Sequence, residues 1–183
     1  MGLRDKMETV GAGRQRVALS GTGLGAGALL ALSLPPWGWW PLAPVGAAGL
    51  ASVLRDRPWQ SRLLAGFAAG VGLYGIGLWW MIEFSAPGFV ATTLLQGLIV
   101  AAAMAAVPPG RGRLVAFPAA VVLADALHGH WPFGGVPLGG IALGQAAGPL
   151  AGAARLGGHL LLVALVAGAG AALAGMAEWA RFR

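Results

Sequence analysis

Three of the side chains that could move protons or hold an ion, Asp125, His128 and His130, fall in one stretch, ADALHGHWPFGGVPLGG; Glu83 stands apart in a second polar tract. His128 and His130 alternate, so they could ligate one ion only from an extended or turned backbone. No third strong ligand stands near them, and His159 belongs to another segment, so no metal site is expected. GTGLGAG at 21–27 resembles a phosphate loop, but no GK[ST] follows and the run lies inside an apolar stretch, where glycines serve helix packing. Ser20, Ser33, Ser52, Ser61 and Ser85 include none in a G-x-S-x-G elbow. With no cysteine in the chain, disulfides, thiolate sites and a cysteine nucleophile are excluded. No residue is therefore assigned a catalytic role, and no cofactor is expected.

The elements that must position Asp125 and its neighbours are those of a membrane protein. The 183 residues are 57% hydrophobic and 10% charged, with a mean hydropathy of +0.75; soluble domains carry about 25% charged residues. The 32 glycines fit close helix packing in lipid. A net charge of +6 does not indicate nucleic acid, because the basic residues lie in short clusters between apolar runs and form no continuous patch.

Six apolar runs are expected to be helices: Val17 to Leu34, Leu42 to Leu54, Leu63 to Ile82, Val90 to Val107, Leu114 to Leu127 and Gly157 to Met176. The second and fifth reach only about 20 Å at 1.5 Å per residue, so they read as thin or tilted spans. With the N-terminus inside and six crossings, all of the 12 basic residues except Arg155 fall on the cytoplasmic side. The expected architecture is an all-α polytopic bundle of about six transmembrane helices. It has a basic cytoplasmic start (1–16), a membrane domain (17–176) and a short cytoplasmic tail (177–183), in a bacterial plasma membrane. The first apolar run is long for a signal peptide and is followed by SLPPWGWWP, with no small-residue cleavage site, so it is read as a retained helix.

This topology gathers three broken segments at the outer face: PPWGWWP at 35–41, EFSAPG at 83–88, and the stretch from His128 to Arg155. Prolines 132 and 137 and the glycine pairs 134/135 and 139/140 forbid regular helix. Unpaired backbone groups cannot face hydrocarbon, so this segment must lie at headgroup level or line a cavity. Six of the 8 tryptophans land at this face, as an interfacial belt would require. Asp125 and His128 are three apart and share a helix face; they either pair locally, meet interfacial water, or line a functional cavity.

LSLPPWGWWPLAPVG, LLAGFAAGVGLYGIGLWW and ADALHGHWPFGGVPLGGIALGQAAGPLAGAARLGGHLLLVALV, in this order and spacing, resemble the amino-terminal membrane domain of the bacterial apolipoprotein N-acyltransferases. Its most specific part is WPFGG-x-P-x8-Q-x3-PL, with Gln145, Pro149 and Leu150 in place. Members of that family move an acyl chain from a phospholipid to the amino group of a lipoprotein's diacylglyceryl-cysteine, through a thioester on a cysteine of a nitrilase-like domain. The resemblance implies a membrane portion that does not catalyse alone. Its implied partners are membrane phospholipids, a lipoprotein substrate and a separate or missing nitrilase-like domain. It also implies a lipid-accessible outer cavity with Trp79, Trp80, Glu83, Asp125, His128, Trp131 and Gln145 as contact candidates. The family's usual glutamate-then-arginine at the end of the fifth helix stands here as Asp125 and His128. The alternative is a small membrane scaffold or transporter that keeps the fold without the chemistry.

Overall fold

The computed structural model describes residues 3–131 and 139–181. Residues 132–138, the centre of the WPFGG-x-P motif, lie outside the described residues. Among the described residues six α-helices form: α1 (Leu3–Leu32), α2 (Leu42–Val53), α3 (Trp59–Gly77), α4 (Ala86–Ala106), α5 (Arg113–His130) and α6 (Ala154–Arg181). Three short 3₁₀ segments, Trp79–Glu83, Ile141–Gln145 and Ala151–Ala153, lie on the connections, and no strand occurs among the described residues. Two helical stretches, 86–106 and 151–181, are long and apolar enough by themselves to cross a membrane.

The helices close into a ring. α1 packs on α2 and α3, α3 on α4, α4 on α5, α5 on α6, and α6 returns to α2. Side chains from all six, among them Leu30, Leu50, Leu73, Met104, Phe117 and Val166, fill the interior and leave a void of about 40 Å³. Small residues let the backbones come this close. A Cβ on Gly72 of α3 would lie 2.5 Å from the Leu24 carbonyl of α1, and one on Gly170 of α6 would lie 2.5 Å from the Ala47 Cβ of α2. Gly23 and Gly27 of the GTGLGAG run face α3 in the same way.

The outside of the ring is also apolar. Val17, Leu94, Leu98, Val115, Leu123, Leu156 and Met176 are all exposed, a pattern that water would oppose and lipid would accept. Exposed Trp39, Trp79, Trp80 and Trp131 mark one end, and exposed Trp59 and Trp179 mark the other.

Chain direction alternates along the sequence, so the connections α1–α2, α3–α4 and α5–α6 share one end. They are tied together there. A Cβ built on Gly139, at φ +69, would lie 3.5 Å from Leu78 Cδ2 and 3.7 Å from Leu34 Cδ1, one residue from each of the other two connections. Gln145 is fully buried and donates from Nε2 to the Trp40 carbonyl at 3.3 Å.

Arginines pin the opposite end. Arg62 donates to the carbonyls of Arg57 at 2.7 Å and Ala105 at 3.0 Å, joining the start of α3 to the end of α4. Buried Arg113 joins α5 to the ends of α2 and α6 through Ala51 and Glu178.

Candidate functional site

Where α5 ends and α6 begins, the irregular segment 139–153 leaves a cavity of about 650 Å³, lined by Asp125, His128, His130, Leu143, His159 and Leu162 among others. The lining is mainly apolar with a few polar tips, the make-up of a pocket for a small amphiphile.

Asp125 is 8% exposed and stands between this cavity and the packed interior of the ring. An acid at that depth requires partners. Among the described residues they include the neighbouring His128 ring, His159 Nε2 at 3.8 Å from Oδ2, and the Ile141 backbone N–H, which donates to the carboxylate. Residue 140 must be small for this approach, since a Cβ there would lie 3.2 Å from Asp125 Oδ1.

The local fold of α6 brings His159 into reach. Its helical run breaks at Gly157 (φ −144, ψ 20) and Gly158 (φ +64, ψ −162), and His159 opens the straight part. Only glycine takes the Gly158 conformation without a steric cost, so GlyGly is the local reason that the histidine turns back toward α5.

His128, buried at 6% exposure, packs its ring against Tyr74 of α3, with centroids 5.1 Å apart and planes at 35°. His130 is exposed and keeps its Nδ1 2.7 Å from the Ala126 carbonyl of its own helix. Among the described residues no group of three His, Cys, Asp or Glu side chains could hold a metal ion. The cavity offers a carboxylate and imidazoles that can hydrogen-bond a polar headgroup, beside walls that suit hydrocarbon.

The seven sequence candidates separate into three places. Asp125 and His128 line the cavity, and Trp131, half exposed, follows directly on the end of α5. Gln145 lies buried beneath the segment and holds it to Trp40. Trp79, Trp80 and Glu83 are exposed on the α3–α4 connection, where Trp80 meets Phe84 edge-on at 5.9 Å, and they do not line the cavity. His159 and Tyr74 were missed by sequence reasoning. His159 stands on another helix, so spacing alone does not bring it to Asp125; the Gly157–Gly158 break just before it is the legible signal.

The Asp125–His159 pair joins a buried carboxylate to an imidazole that is mostly exposed (8% against 62% for the side chains), so water screens much of the attraction. A double-mutant cycle on Asp125→Asn and His159→Gln, read by denaturant unfolding in micelles, is expected to give a coupling of at most about 1 kcal/mol. Several kcal/mol would mean that the pair is closed off from solvent.

Residues 26–172 match the family model described as the apolipoprotein N-acyltransferase N-terminal domain. The chain is 34% identical over 158 residues to the apolipoprotein N-acyltransferase of Azotobacter vinelandii, covering 76% of this chain and 30% of that protein. It is 33% identical over 172 residues to that of Chromobacterium violaceum, covering 84% and 33%. With that of Caulobacter vibrioides it shares 32% identity over 125 residues, covering 57% and 23%. The chain thus spans no more than a third of the length of these relatives. The matched region contains every lining side chain of the cavity, from Asp125 to Leu162. This chain belongs to the apolipoprotein N-acyltransferase N-terminal domain family.

Proposed function

We propose that the ring crosses the bacterial inner membrane six times with both ends in the cytoplasm, and that it forms the membrane portion of an N-acyltransferase-like protein that matures lipoproteins. The cavity between α5 and α6 carries this reading. It is large enough for part of an acyl chain, it is mostly apolar, and Asp125, His128 and His159 line it, which supports their meeting a lipid's polar group. In the proposed orientation it opens at the exported end, beneath the tryptophan-rich connections. Trp79, Trp80, Glu83 and Trp131 are the interfacial contacts of this reading, and Gln145 holds the cavity's rim in place through Trp40.

The exposed apolar side chains around the ring support the crossing. α4, at 21 residues and about 1.5 Å each, matches the roughly 30 Å hydrocarbon layer. α2 has only 12 residues, so it accounts for about 18 Å and serves as the thin span. The alternating arginine clusters support this orientation.

The chemistry of acyl transfer is not assigned to these residues, because the 183 contain no cysteine to carry a thioester. A nitrilase-like partner domain and a diacylglyceryl-lipoprotein substrate complete the proposal. The purified chain, given phospholipid and a diacylglyceryl peptide, is expected to release no N-acylated product. A phospholipid with a photoactivatable acyl chain is expected to crosslink to the segment 139–162, and Leu143→Trp, which fills the cavity, to abolish most of that labelling. Labelling spread evenly around the ring would remove the cavity from the proposal, and N-acylation by the chain alone would overturn its division of labour.

The lack of native cysteines makes the topology easy to map. Ser85→Cys should react with an impermeant maleimide in spheroplasts and Ser61→Cys only after lysis. The opposite pattern would invert the bundle.

A further inference from the structure

We propose that the groove between α1 and α2, at the arginine-rich end of the ring, holds one anionic phospholipid of the cytoplasmic leaflet, its phosphate on Arg57 and Arg55. This site lies at the other end of the molecule from the Asp125 cavity. It rests on the membrane orientation proposed above and not on acyl transfer.

The groove has a volume of about 590 Å³ and opens outward between the two helices. Small residues make room for a chain. A Cβ built on Gly25 meets nothing within 4 Å, and one on Gly49 meets only the Ala26 Cβ at 3.7 Å. Leu29 and Val53 add apolar lining, so the slot suits hydrocarbon along most of its length.

Two guanidinium groups, Arg55 and Arg57, border it at the end of α2. Asp56 stands between them with φ +51, so the chain reverses there and both arginines belong to one tight turn. Asp56 pairs with Arg55 at 3.1 Å, and Glu178 lies 3.9 Å from Arg55, so Arg55 is largely balanced by acids. None of the ion pairs formed by Asp56, Asp125 and Glu178 involves Arg57. The Arg57 backbone carbonyl is taken by Arg62, which fixes the turn and leaves the Arg57 guanidinium as the positive charge at the groove.

α1 adds a further cation. Arg14 stands eight residues before Thr22, which lines the groove, so it lies about 12 Å farther toward the arginine-rich end and about 80° round the helix. A cationic end below an apolar slot is complementary to one amphiphile, a phospholipid with net negative charge. Guanidinium donates two parallel hydrogen bonds to phosphate oxygens, and each basic residue near an anionic leaflet contributes about 1 kcal/mol. A zwitterionic lipid places its own cation against the same arginines and gains less.

The test uses the full chain in micelles and native mass spectrometry, with dioleoyl phosphatidylglycerol and dioleoyl phosphatidylcholine as probes. One phosphatidylglycerol per chain is expected to be retained in preference to phosphatidylcholine. Arg57→Gln should weaken that retention about fivefold, as the loss of one arginine–phosphate contact predicts. Gly25→Leu, whose Cβ would meet nothing within 4 Å and whose side chain would take up groove volume, should weaken it at least as much while circular dichroism keeps its helical signal. Arg111→Gln, at a neighbouring basic pocket that excludes Arg57, should leave it unchanged.

Equal retention of both lipids, or an equal loss from Arg111→Gln, would overturn the site in favour of general surface charge. Full displacement by millimolar inorganic phosphate would overturn the lipid as occupant and leave a bare anion site. Because this readout involves neither cavity labelling nor acyl transfer, its failure leaves the outer cavity untouched. The maleimide pattern separately reports an inverted bundle.

Discussion

Gly27→Ala is expected to break the ring, with the largest loss of any single added carbon. A Cβ at this position of α1 would fall against the Ala69 carbonyl of α3, 2.8 Å from that carbonyl's carbon and 2.9 Å from the Leu73 nitrogen. These are backbone atoms of a regular helix, so no rotamer change relieves the contact and the two helices must move apart. Gly23 and Gly72 also approach backbone carbonyls on the same contact, each with a Cβ that would lie 2.5 Å from the oxygen, so the separation costs them as well. Overpacking of a tight interior costs about 1–3 kcal/mol, and a rigid helix pair belongs at the upper end. Gly21→Ala, six residues earlier, is the control: its Cβ meets nothing within 4 Å and it should be neutral or stabilising by up to about 1 kcal/mol, because alanine is the better helix former. Unfolding in mixed micelles, followed by circular dichroism, measures both. Similar stabilities for the two variants would mean that α1 and α3 can part without loss.

The same contact shows what the sequence made legible. Apolar runs and breakers located all six helices: Leu42 to Leu54 became Leu42–Val53, and Leu114 to Leu127 became Arg113–His130. These boundaries follow local rules, since proline and glycine end helices wherever they stand. The third run was expected to continue to Ile82, but α3 stops at Gly77 and the Trp79–Glu83 tract turns as 3₁₀ helix. Hydropathy alone cannot separate a buried tryptophan pair from an interfacial one, because indole suits both.

The candidate site was legible only in part, for a different reason. Asp125 and His128 share one helix and three-residue spacing, so their joint placement was readable. His159 reaches Asp125 only because α5 and α6 are neighbours and because Gly158 turns the chain. Gln145 meets Trp40 across 105 positions of sequence, a pairing no local pattern encodes. Ring closure creates these contacts, and it depends on which small residues meet which.

Arg113→Ala is expected to destabilise the bundle by about 3–5 kcal/mol, the cost of removing one partner from a buried ion pair. In the sequence this arginine served to orient the chain; in the fold it is a hub with 1% of its surface exposed. Its Nε donates to the Ala51 carbonyl at 3.1 Å, Nη1 donates to the Gly110 carbonyl at 2.8 Å, and Nη2 pairs with Glu178. The three partners stand near the end of α2, in the α4–α5 turn and near the end of α6, so one planar cation closes the ring at this face. Alanine leaves the Ala51 carbonyl without that donor and leaves Glu178, only 16% exposed, with Arg55 Nη1 at 3.9 Å as its remaining cation. Arg113→Lys should fall between wild type and alanine, since a single ammonium cannot reach all three acceptors in the guanidinium's fork geometry. Adding Glu178→Gln to Arg113→Ala should recover part of the loss, because the stranded charge is then gone. Denaturant titrations of the two single variants and the double variant in micelles give the coupling directly. If the double variant is as unstable as the sum of the singles, the arginine holds the ring through its two carbonyl bonds and the ion pair adds nothing.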